Sequence, residues 1–415
     1  MQELHVNGTR LWNTIIDTGK IGATPGGGIT RLTLSDLDRE VRDWFVDACK
    51  AAGCSVTVDE VGSIFARRAG IDDSRDPIAI GSHLDTQPLG GRFDGIAGVL
   101  SGLEVLRTLE ENDYRTTAPL EIIDWTNEEG SRFSPAMFAS GVFSGVYTRD
   151  FVYNSKDREG KTFLEELERI SYRGEVPAGN HRLAGYFELH IEQGPVLESE
   201  SVNIGVVTGA QGQLWYEVTV TGRAGHAGST PMPMRKDAML ACARITEGVN
   251  RIALHHAPAG MSTVGLIEVT PNSRNVIPGQ VFFTVDLRSP DEEVLLAMDE
   301  EIQVLVKQVA GETRTGIVIQ SVLKMLPMTF DETCVSVVRN AVERLGYRYR
   351  DMVSGPGHDA LYIARVAPTS MVFIPCEGGV SHNEAESVRP EDVTAGANVL
   401  LRSVLEYDRR IAGVS

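Results

Sequence analysis

The order of strand-like and helix-like segments changes along the chain, and this change constrains the fold more than any other feature. Short apolar runs at 77–81 and 120–125 alternate with amphipathic stretches at 38–52 and 95–109. Such alternation is typical of a largely parallel sheet covered by helices. The same pattern returns near residue 329 and includes a further buried strand at 369–376.

The segment 210–328 has a different pattern. Its predicted order is β-α-β-β-α-β, which is the order of a ferredoxin-like unit. The sequence SPDE at 289–292 predicts a capping box at the start of the second helix, with proline at the first helical position. The predicted strands cover 214–221, 261–269, 276–288 and 316–323, and the predicted helices cover 235–249 and 294–309.

Length and composition indicate the number of domains and exclude some partners. Because 415 residues exceed what one core usually supports, we predict an α/β domain, 1–209 and 329–415, interrupted by an α+β domain, 210–328. The formal charge of −18 argues against a nucleic-acid partner, since phosphate binding needs a basic surface. Neither a signal peptide nor a membrane-spanning stretch is evident, so we expect a cytoplasmic protein, with no membrane partner, whose five scattered cysteines are reduced.

The segment GSHLDTQPLGGRFDG at 81–95 carries the first group of metal-type ligands. His83 and Asp85 follow a predicted strand, and Asp94 opens a predicted helix. Imidazole and carboxylate groups suit zinc or a similar ion, and Asp85 could instead hold the second nitrogen of His83. The alternative is a helix N-cap at Asp94 and a structural loop histidine at His83.

Three other segments place similar residues at predicted strand ends, where open α/β sheets form their sites. In WTNEEG, Glu128 and Glu129 are adjacent, and burying both needs a nearby cation; one could bind the ion while the other moves protons. A solvated loop is the alternative for this pair. His190 lies in ELHIEQGP and His382 in GGVSHNEAE, and either histidine alone would more often be structural. Together, the segments predict one site rich in nitrogen and oxygen ligands.

These segments carry a resemblance to a known family. With GRAGHAGSTPM, NVIPG, DLR and GPGHDA, the motifs HLDTQPLGGRFDG, TNEEGSRF and HIEQGP resemble those of the amidase, hydantoinase/carbamoylase family of metal-dependent hydrolases. That family is related to the co-catalytic zinc aminopeptidases. The resemblance extends over nearly the whole chain.

The resemblance implies two divalent metal ions, with zinc as the first choice and manganese, cobalt or nickel as alternatives. It assigns His83, Asp94 and His190 to one ion. It assigns Asp94, Glu129 and His382 to the other, so that Asp94 bridges the two. Glu128 is then the general base and later the acid that protonates the leaving nitrogen.

The resemblance also implies roles in substrate binding. His226 in GRAGHAG would stabilise the oxyanion, and Arg288 would bind the substrate carboxylate, helped by Asn275, Gln193 and His358. The alternatives are a flexible glycine-rich turn around His226 and a surface ion pair between Arg288 and Asp286. In relatives the inserted domain is a lid and a dimerisation surface, which implies a homodimer.

The expected reaction is hydrolysis of a small molecule, an N-carbamoyl amino acid, to the amino acid, ammonia and carbon dioxide. The substrate would be N-carbamoyl-β-alanine or an N-carbamoyl-L-α-amino acid. The alternatives are an allantoate amidohydrolase, a dipeptidase or aminopeptidase, and a metal-binding relative without catalytic activity. Glu128 argues against the last of these, because metal binding alone does not require it.

Overall fold

A computed structural model describes residues 4–413 of the chain. It divides into two compact units: one extends to Gly209 and resumes at Phe330, and the other is Ala210–Thr329. The second boundary lies one residue after the predicted one. Each unit has its own cluster of buried apolar side chains.

The elements are numbered in chain order. The strands are β1 (Ser55–Val58), β2 (Ile64–Arg68), β3 (Ile78–Ser82), β4 (Leu120–Asp124), β5 (Gly185–Ile191), β6 (Ile204–Ala210), β7 (Gly212–Thr221), β8 (Gly225–His226), β9 (Met261–Thr263), β10 (Ile267–Thr270), β11 (Val276–Ile277), β12 (Gln280–Ser289), β13 (Gly316–Met325), β14 (Met328–Thr329), β15 (Tyr349–Ser354) and β16 (Thr369–Ile374). The helices are α1 (Gly8–Thr18), α2 (Asp36–Ala51), α3 (Ile96–Glu111), α4 (Phe138–Phe143), α5 (Arg149–Asn154), α6 (Phe163–Arg169), α7 (Val196–Ser199), α8 (Ala238–His255), α9 (Glu292–Thr313), α10 (Glu332–Leu345), α11 (Asp359–Ile363) and α12 (Pro390–Ile411).

The first sheet has the order β1-β2-β4-β3-β5-β16-β6-β14, with β15 beside β6. Its four middle strands, β4, β3, β5 and β16, are parallel to one another, and the strands on either side are antiparallel to them. The largely parallel, helix-covered sheet predicted from the sequence is therefore confirmed. Because the middle strands are parallel, their carboxyl ends lie at one edge of the sheet.

Helix α3 approaches the sheet closely at a glycine. A Cβ atom on Gly98 would lie 2.3 Å from the carbonyl oxygen of Leu189 in β5, so a larger residue would push the helix away. All residues of β3, β4, β5 and β16 are buried, as expected for strands covered on both faces. This close packing holds the start of α3 beside the end of β5.

The second unit contains a sheet of order β10-β12-β7-β13, with β9 also paired to β12. This is the strand order of the predicted ferredoxin-like unit. Two of its predicted strands are interrupted. The break within 261–269 contains Gly265, and the break within 276–288 contains Pro278 and Gly279, since proline cannot donate to a strand ladder.

The predicted capping box at the start of α9 is wrong. The N-cap is Asp291, whose carboxylate accepts from the backbone N–H groups of Glu293 at 2.9 Å and Val294 at 3.1 Å. Ser289 is still the last residue of β12, so Pro290 precedes the cap instead of following it. Across residues 4–413, the helices are all too short or too polar to cross a membrane.

Candidate active site

The parallel strands of the first unit bring the predicted ligands to one edge of the sheet. His83 follows β3, Glu129 follows β4, and His190 lies near the end of β5. His382 follows β16, and Asp94 lies directly before α3. The side chains of these five residues form two groups that share Asp94.

The first group consists of His83, Asp94 and His190, all buried. The Oδ1 atom of Asp94 lies 3.6 Å from Nε2 of His83 and 3.0 Å from Nε2 of His190. In the second group, Oδ2 of Asp94 lies 3.2 Å from Nε2 of His382. The same nitrogen lies 3.6 Å from Oε2 of Glu129.

Backbone contacts fix the tautomers of the two buried histidines. Nδ1 of His83 lies 2.9 Å from the carbonyl oxygen of Asp85, and Nδ1 of His190 lies 2.9 Å from that of Ile191. A carbonyl only accepts, so both Nδ1 atoms carry the proton and both Nε2 atoms offer a lone pair. The N–H of Gly95 donates to Nε2 of His190 at 3.2 Å, which agrees with this assignment.

Asp85 acts differently from the sequence-based interpretation. Its carboxylate oxygen lies 3.8 Å from Nδ1 of His83, so the backbone carbonyl and not the side chain holds the ring. The carboxylate instead faces the backbone N–H groups of Glu128 at 3.3 Å and Glu129 at 3.4 Å. Asp85 therefore positions the two glutamates as well as His83.

The two groups fit divalent metal ions. Two ligands about 2.1 Å from a tetrahedral ion lie about 3.3 Å apart, and the nitrogen–oxygen distances of 3.0–3.6 Å bracket this value. Lone pairs of Nε2 atoms face carboxylate oxygens, an arrangement that is favourable only around a cation or a proton. Within the described part of the chain, the buried Nε2 atom of His83 has no hydrogen-bond partner. The donors are nitrogen and oxygen atoms, which suit zinc, manganese, cobalt or nickel.

Burial and neighbouring side chains shift the pKa values of the proposed ligands in different directions. Burial opposes ionisation of Asp94, but His190 and the other histidines outweigh it and hold its pKa well below the usual range. The hydrogen bond that protonated His382 donates to the carboxylate of Asp94 raises the pKa of His382 to about 9. Burial raises the pKa of Glu129 to about 7.

Glu128 lies beside the first group without belonging to it. Its Oε2 atom is 3.5 Å from Nε2 of His83, and the residue is 7% exposed. Burial raises the pKa of Glu128 well above its ordinary value; His83 opposes this shift and Asp359 adds to it. Glu128 is therefore a buried carboxyl group with a raised pKa beside the first group of ligands.

Gln193 and His358 also adjoin the two groups. The amide of Gln193 donates to Oδ2 of Asp94 at 2.8 Å and lies 3.2 Å from Nε2 of His382. The ring of His358 packs against that of His190, with 4.4 Å between centroids. Burial and then the neighbouring His190 hold the pKa of His358 well below its usual value, so this imidazole is neutral.

Two residues that position the proposed metal ligands Asp94 and Glu129 were not predicted from the sequence. The carboxylate of Glu386 accepts from the backbone N–H groups of Phe93 at 3.0 Å and Asp94 at 3.1 Å, and from Ser381 Oγ at 3.0 Å. Gln87 donates to both oxygens of Glu129, from its backbone at 3.0 Å and its side chain at 2.8 Å. Both residues lie in the quoted motifs, but spacing alone does not distinguish a ligand from a residue that positions it.

In the second unit, strands β8 and β11 bring His226 and Asn275 together. His226 pairs with Val276, the residue after Asn275. Nδ1 of His226 accepts from the N–H groups of Gly228 at 3.0 Å and Ser229 at 3.2 Å. The proton is therefore on Nε2, which makes the imidazole a hydrogen-bond donor, as an oxyanion requires.

Arg288 also lies in the second unit, near the end of β12. Its guanidinium donates to the carboxylate of Asp286 at 2.8 Å and 3.1 Å, so the ion pair considered as an alternative is present. Gln213 on β7 also accepts from it, at 2.8 Å, once the amide is turned. The guanidinium is held in place by its neighbours, and its predicted role in binding substrate stays a prediction.

Comparison with known proteins identifies the family. Residues 79–406 match the family model for Peptidase family M20/M25/M40. The chain is 50% identical over 401 residues to an N-carbamoyl-L-amino-acid amidohydrolase of Rhizobium meliloti, covering 97% of this chain and 96% of the relative. A more distant relative, allantoate amidohydrolase of Escherichia coli, is 34% identical over 91% of this chain and 93% of its own.

A solved structure is similar over almost the whole chain. It is an amidase of the hydantoinase/carbamoylase family from Burkholderia multivorans, with a TM-score of 0.92 and 55% identity, covering 97% of this chain and 98% of the other. The resemblance inferred from the motifs is confirmed, and the chain is a hydrolase that acts on C–N bonds. It belongs to Peptidase family M20/M25/M40 and, with its similar structures, to the hydantoinase/carbamoylase amidases.

Proposed function

We propose that this protein is a metal-dependent amidohydrolase that removes the carbamoyl group from N-carbamoyl-L-α-amino acids. The observation that carries the proposal is the position of Glu128. Its buried carboxyl group lies beside His83, which belongs to one of the two groups of ligands that share Asp94. The 50% identity to an N-carbamoyl-L-amino-acid amidohydrolase supports the substrate class.

Peptidase family M20/M25/M40 is metal-dependent, and the proposed site holds two divalent ions, with zinc as the first choice. His83, Asp94 and His190 would bind one ion, and Asp94, Glu129 and His382 the other. When bound, such ions polarise a carbonyl group and make water more acidic. Gln87, Asp85 and Glu386 would keep the ligands in place through the contacts described above.

Glu128 would move the proton. Its carboxylate takes a proton from the attacking water as the oxygen adds to the ureido carbon, and the protonated acid then gives it to the departing nitrogen. One water is consumed in breaking the first C–N bond, which leaves a carbamic acid. This acid breaks down by loss of carbon dioxide, so the final products are the amino acid, ammonia and carbon dioxide. The raised pKa of Glu128 makes its carboxylate a stronger base for taking up this proton.

The resemblance supports a proposal for the residues that bind the substrate. From the resemblance, His226 stabilises the developing oxyanion, and Arg288 and Asn275 bind the substrate carboxylate. Gln193 and His358 complete the substrate-binding residues. We further propose that the chain acts as a homodimer through the second unit, which sedimentation of the purified protein tests directly.

The test of function is a substrate panel. Ammonia release is measured from N-carbamoyl-L-α-amino acids, N-carbamoyl-β-alanine and allantoate, with and without prior treatment with a chelator. We expect the highest kcat/KM with the first class, loss of activity after chelation, and recovery when zinc or manganese is restored. The allantoate relative makes allantoate the second candidate. Turnover of free-amine dipeptides alone would instead indicate a peptidase.

A further inference from the structure

A separate group of metal-type ligands lies on the second unit and shares no residue with the two groups of the candidate active site. His255 is the last residue of α8, His256 follows it, and Glu301 lies on α9. One donor atom from each lies within 4.8 Å of the others. We propose that these three residues bind a divalent transition-metal ion, such as zinc, nickel or copper, at a site independent of the proposed catalytic ions.

The distances suit an ion held by two imidazoles and one carboxylate. Oε1 of Glu301 lies 3.5 Å from Nδ1 of His255 and 2.8 Å from Nε2 of His256. Ligands of a tetrahedral zinc ion lie about 3.3 Å apart. The His255–Glu301 pair is already near this spacing, and the His256–Glu301 pair has to open by about 0.5 Å to accept the ion. The two imidazole rings are 4.9 Å apart between centroids, so both face the same carboxylate.

The surroundings favour a cation. The two histidines lie at the carboxyl end of α8, an 18-residue helix whose dipole places partial negative charge there. Among residues 4–413, Glu301 forms ion pairs with these two histidines and with no lysine or arginine. A metal ion would therefore not have to displace a competing cationic side chain.

The exposure of the three residues indicates an accessible site. The side chains of His255, Glu301 and His256 are 73%, 37% and 16% exposed, which leaves room for water as a fourth ligand. The site lies at a groove of about 490 Å³ between α8 and α9, which is lined by the aliphatic side chains of Ile252, Val304 and Leu305 and by polar side chains such as Arg251 and Gln308. An ion here would tie the end of α8 to α9 and stabilise the second unit.

The experiment uses the full-length protein and zinc as the probe. Wild type and the variants His255→Gln and Glu301→Gln are dialysed against the same buffered zinc concentration, and bound zinc is counted by mass spectrometry. We expect the wild type to hold one more zinc ion per chain than either variant. The result is the difference in zinc content between wild type and each variant. It therefore does not depend on how many ions the proposed catalytic site retains.

A matched control separates a built site from incidental binding by surface histidines. His181 pairs with Glu121 at 2.9 Å, which provides one imidazole and one carboxylate without a second histidine. His181→Ala should leave the zinc count unchanged. His255 is highly exposed, so His255→Gln should preserve the fold, which circular dichroism checks. Equal zinc counts in wild type, His255→Gln and Glu301→Gln would overturn the proposal.

Discussion

Two glutamates that are adjacent in the sequence have different surroundings in the fold. Glu129 is held by Gln87 and faces His382, whereas Glu128 faces His83 and belongs to neither group of ligands. The sequence alone suggested that one glutamate binds an ion and the other moves protons. It could not show how Asp85 positions both backbones, because that contact depends on how the two loops meet.

Replacing Glu128 with glutamine should abolish catalysis without removing the metal ions. The amide has nearly the same shape but cannot accept a proton, so we expect kcat to fall on the order of 10²–10⁴-fold. Metal content measured on the same sample should equal that of wild type. A variant that turns over substrate at the wild-type rate would show that Glu128 is not the base.

Replacing Arg288 with lysine should weaken substrate binding more than it slows the chemical step. Lysine keeps the charge but loses the planar fork that grips a carboxylate, so we expect KM to rise roughly tenfold with a smaller change in kcat. Arg251→Lys is the control, since Arg251 pairs with Glu247 on the surface of α8 at 2.8 Å. Equal effects of the two substitutions would remove Arg288 from the substrate site.

At the scale of elements, the side chain of Glu386 links the loop after β16 to the backbone just before α3. Glu386 binds the backbone of Phe93 and Asp94, and a Cβ atom on Gly91 would lie 1.9 Å from its carboxylate. The sequence motif HNEAE contains this glutamate, but several acidic residues there look alike. Only the packing of the loop after β16 against the segment before α3 shows which of these acidic residues supports Asp94.

Replacing Glu386 with alanine should reduce metal affinity. It leaves two buried N–H groups without acceptors and frees Asp94, so we expect affinity for zinc to fall roughly 10–100-fold. The measurement is competition with a chromogenic chelator. Glu384→Ala is the matched control: it removes the same charge from the same loop, from a side chain that contacts Thr24. An unchanged affinity in Glu386→Ala would contradict this role.

Substitutions at Asp291 test whether this residue is the N-cap of α9. Asp291→Ala removes the side chain that caps two N–H groups, and we expect the free energy of unfolding to fall by about 1 kcal/mol. Asp291→Asn should stay within a few tenths of a kcal/mol of wild type, since asparagine caps equally well. Urea unfolding followed by circular dichroism provides both values. The sequence placed the cap two residues early because it could not show where β12 ends.

For the whole molecule, the change of pattern near residues 210 and 329 correctly predicted the α/β fold class and the β-α-β-β-α-β order of the inserted segment. Segments with strong periodicity, such as β3, β4 and α3, were predicted within two residues of their ends. The predicted strand boundaries were wrong where a glycine or proline interrupts a strand, as at Gly265 and Pro278. At Pro278 the strands on the two sides of the break pair with different neighbours, β8 and β7, whereas at Gly265 both sides pair with β12. These pairings cannot be read from the local sequence pattern.

The cysteines are distributed over both hydrophobic cores and are buried. Burial raises the pKa of Cys54 and Cys376 to about 11, and it raises the pKa of Cys49, Cys242 and Cys334 as well. All five are thus protonated thiols at pH 7 in the folded protein. We expect little reaction with iodoacetamide at pH 7 and alkylation of all five in urea, counted by mass spectrometry. Rapid alkylation of the folded protein would contradict this burial.

The chain leaves the first sheet and returns to it at neighbouring positions. The backbone N–H of Phe330 donates to the carbonyl oxygen of Thr208 at 2.9 Å, so 121 intervening residues (209 to 329) begin and end side by side. Insertions or deletions between the end of β6 and the start of β14 therefore need not shift the register of the first sheet. Evolution can change that intervening segment, with the residues proposed to bind substrate, while the sheet that carries the metal-type ligands keeps its geometry.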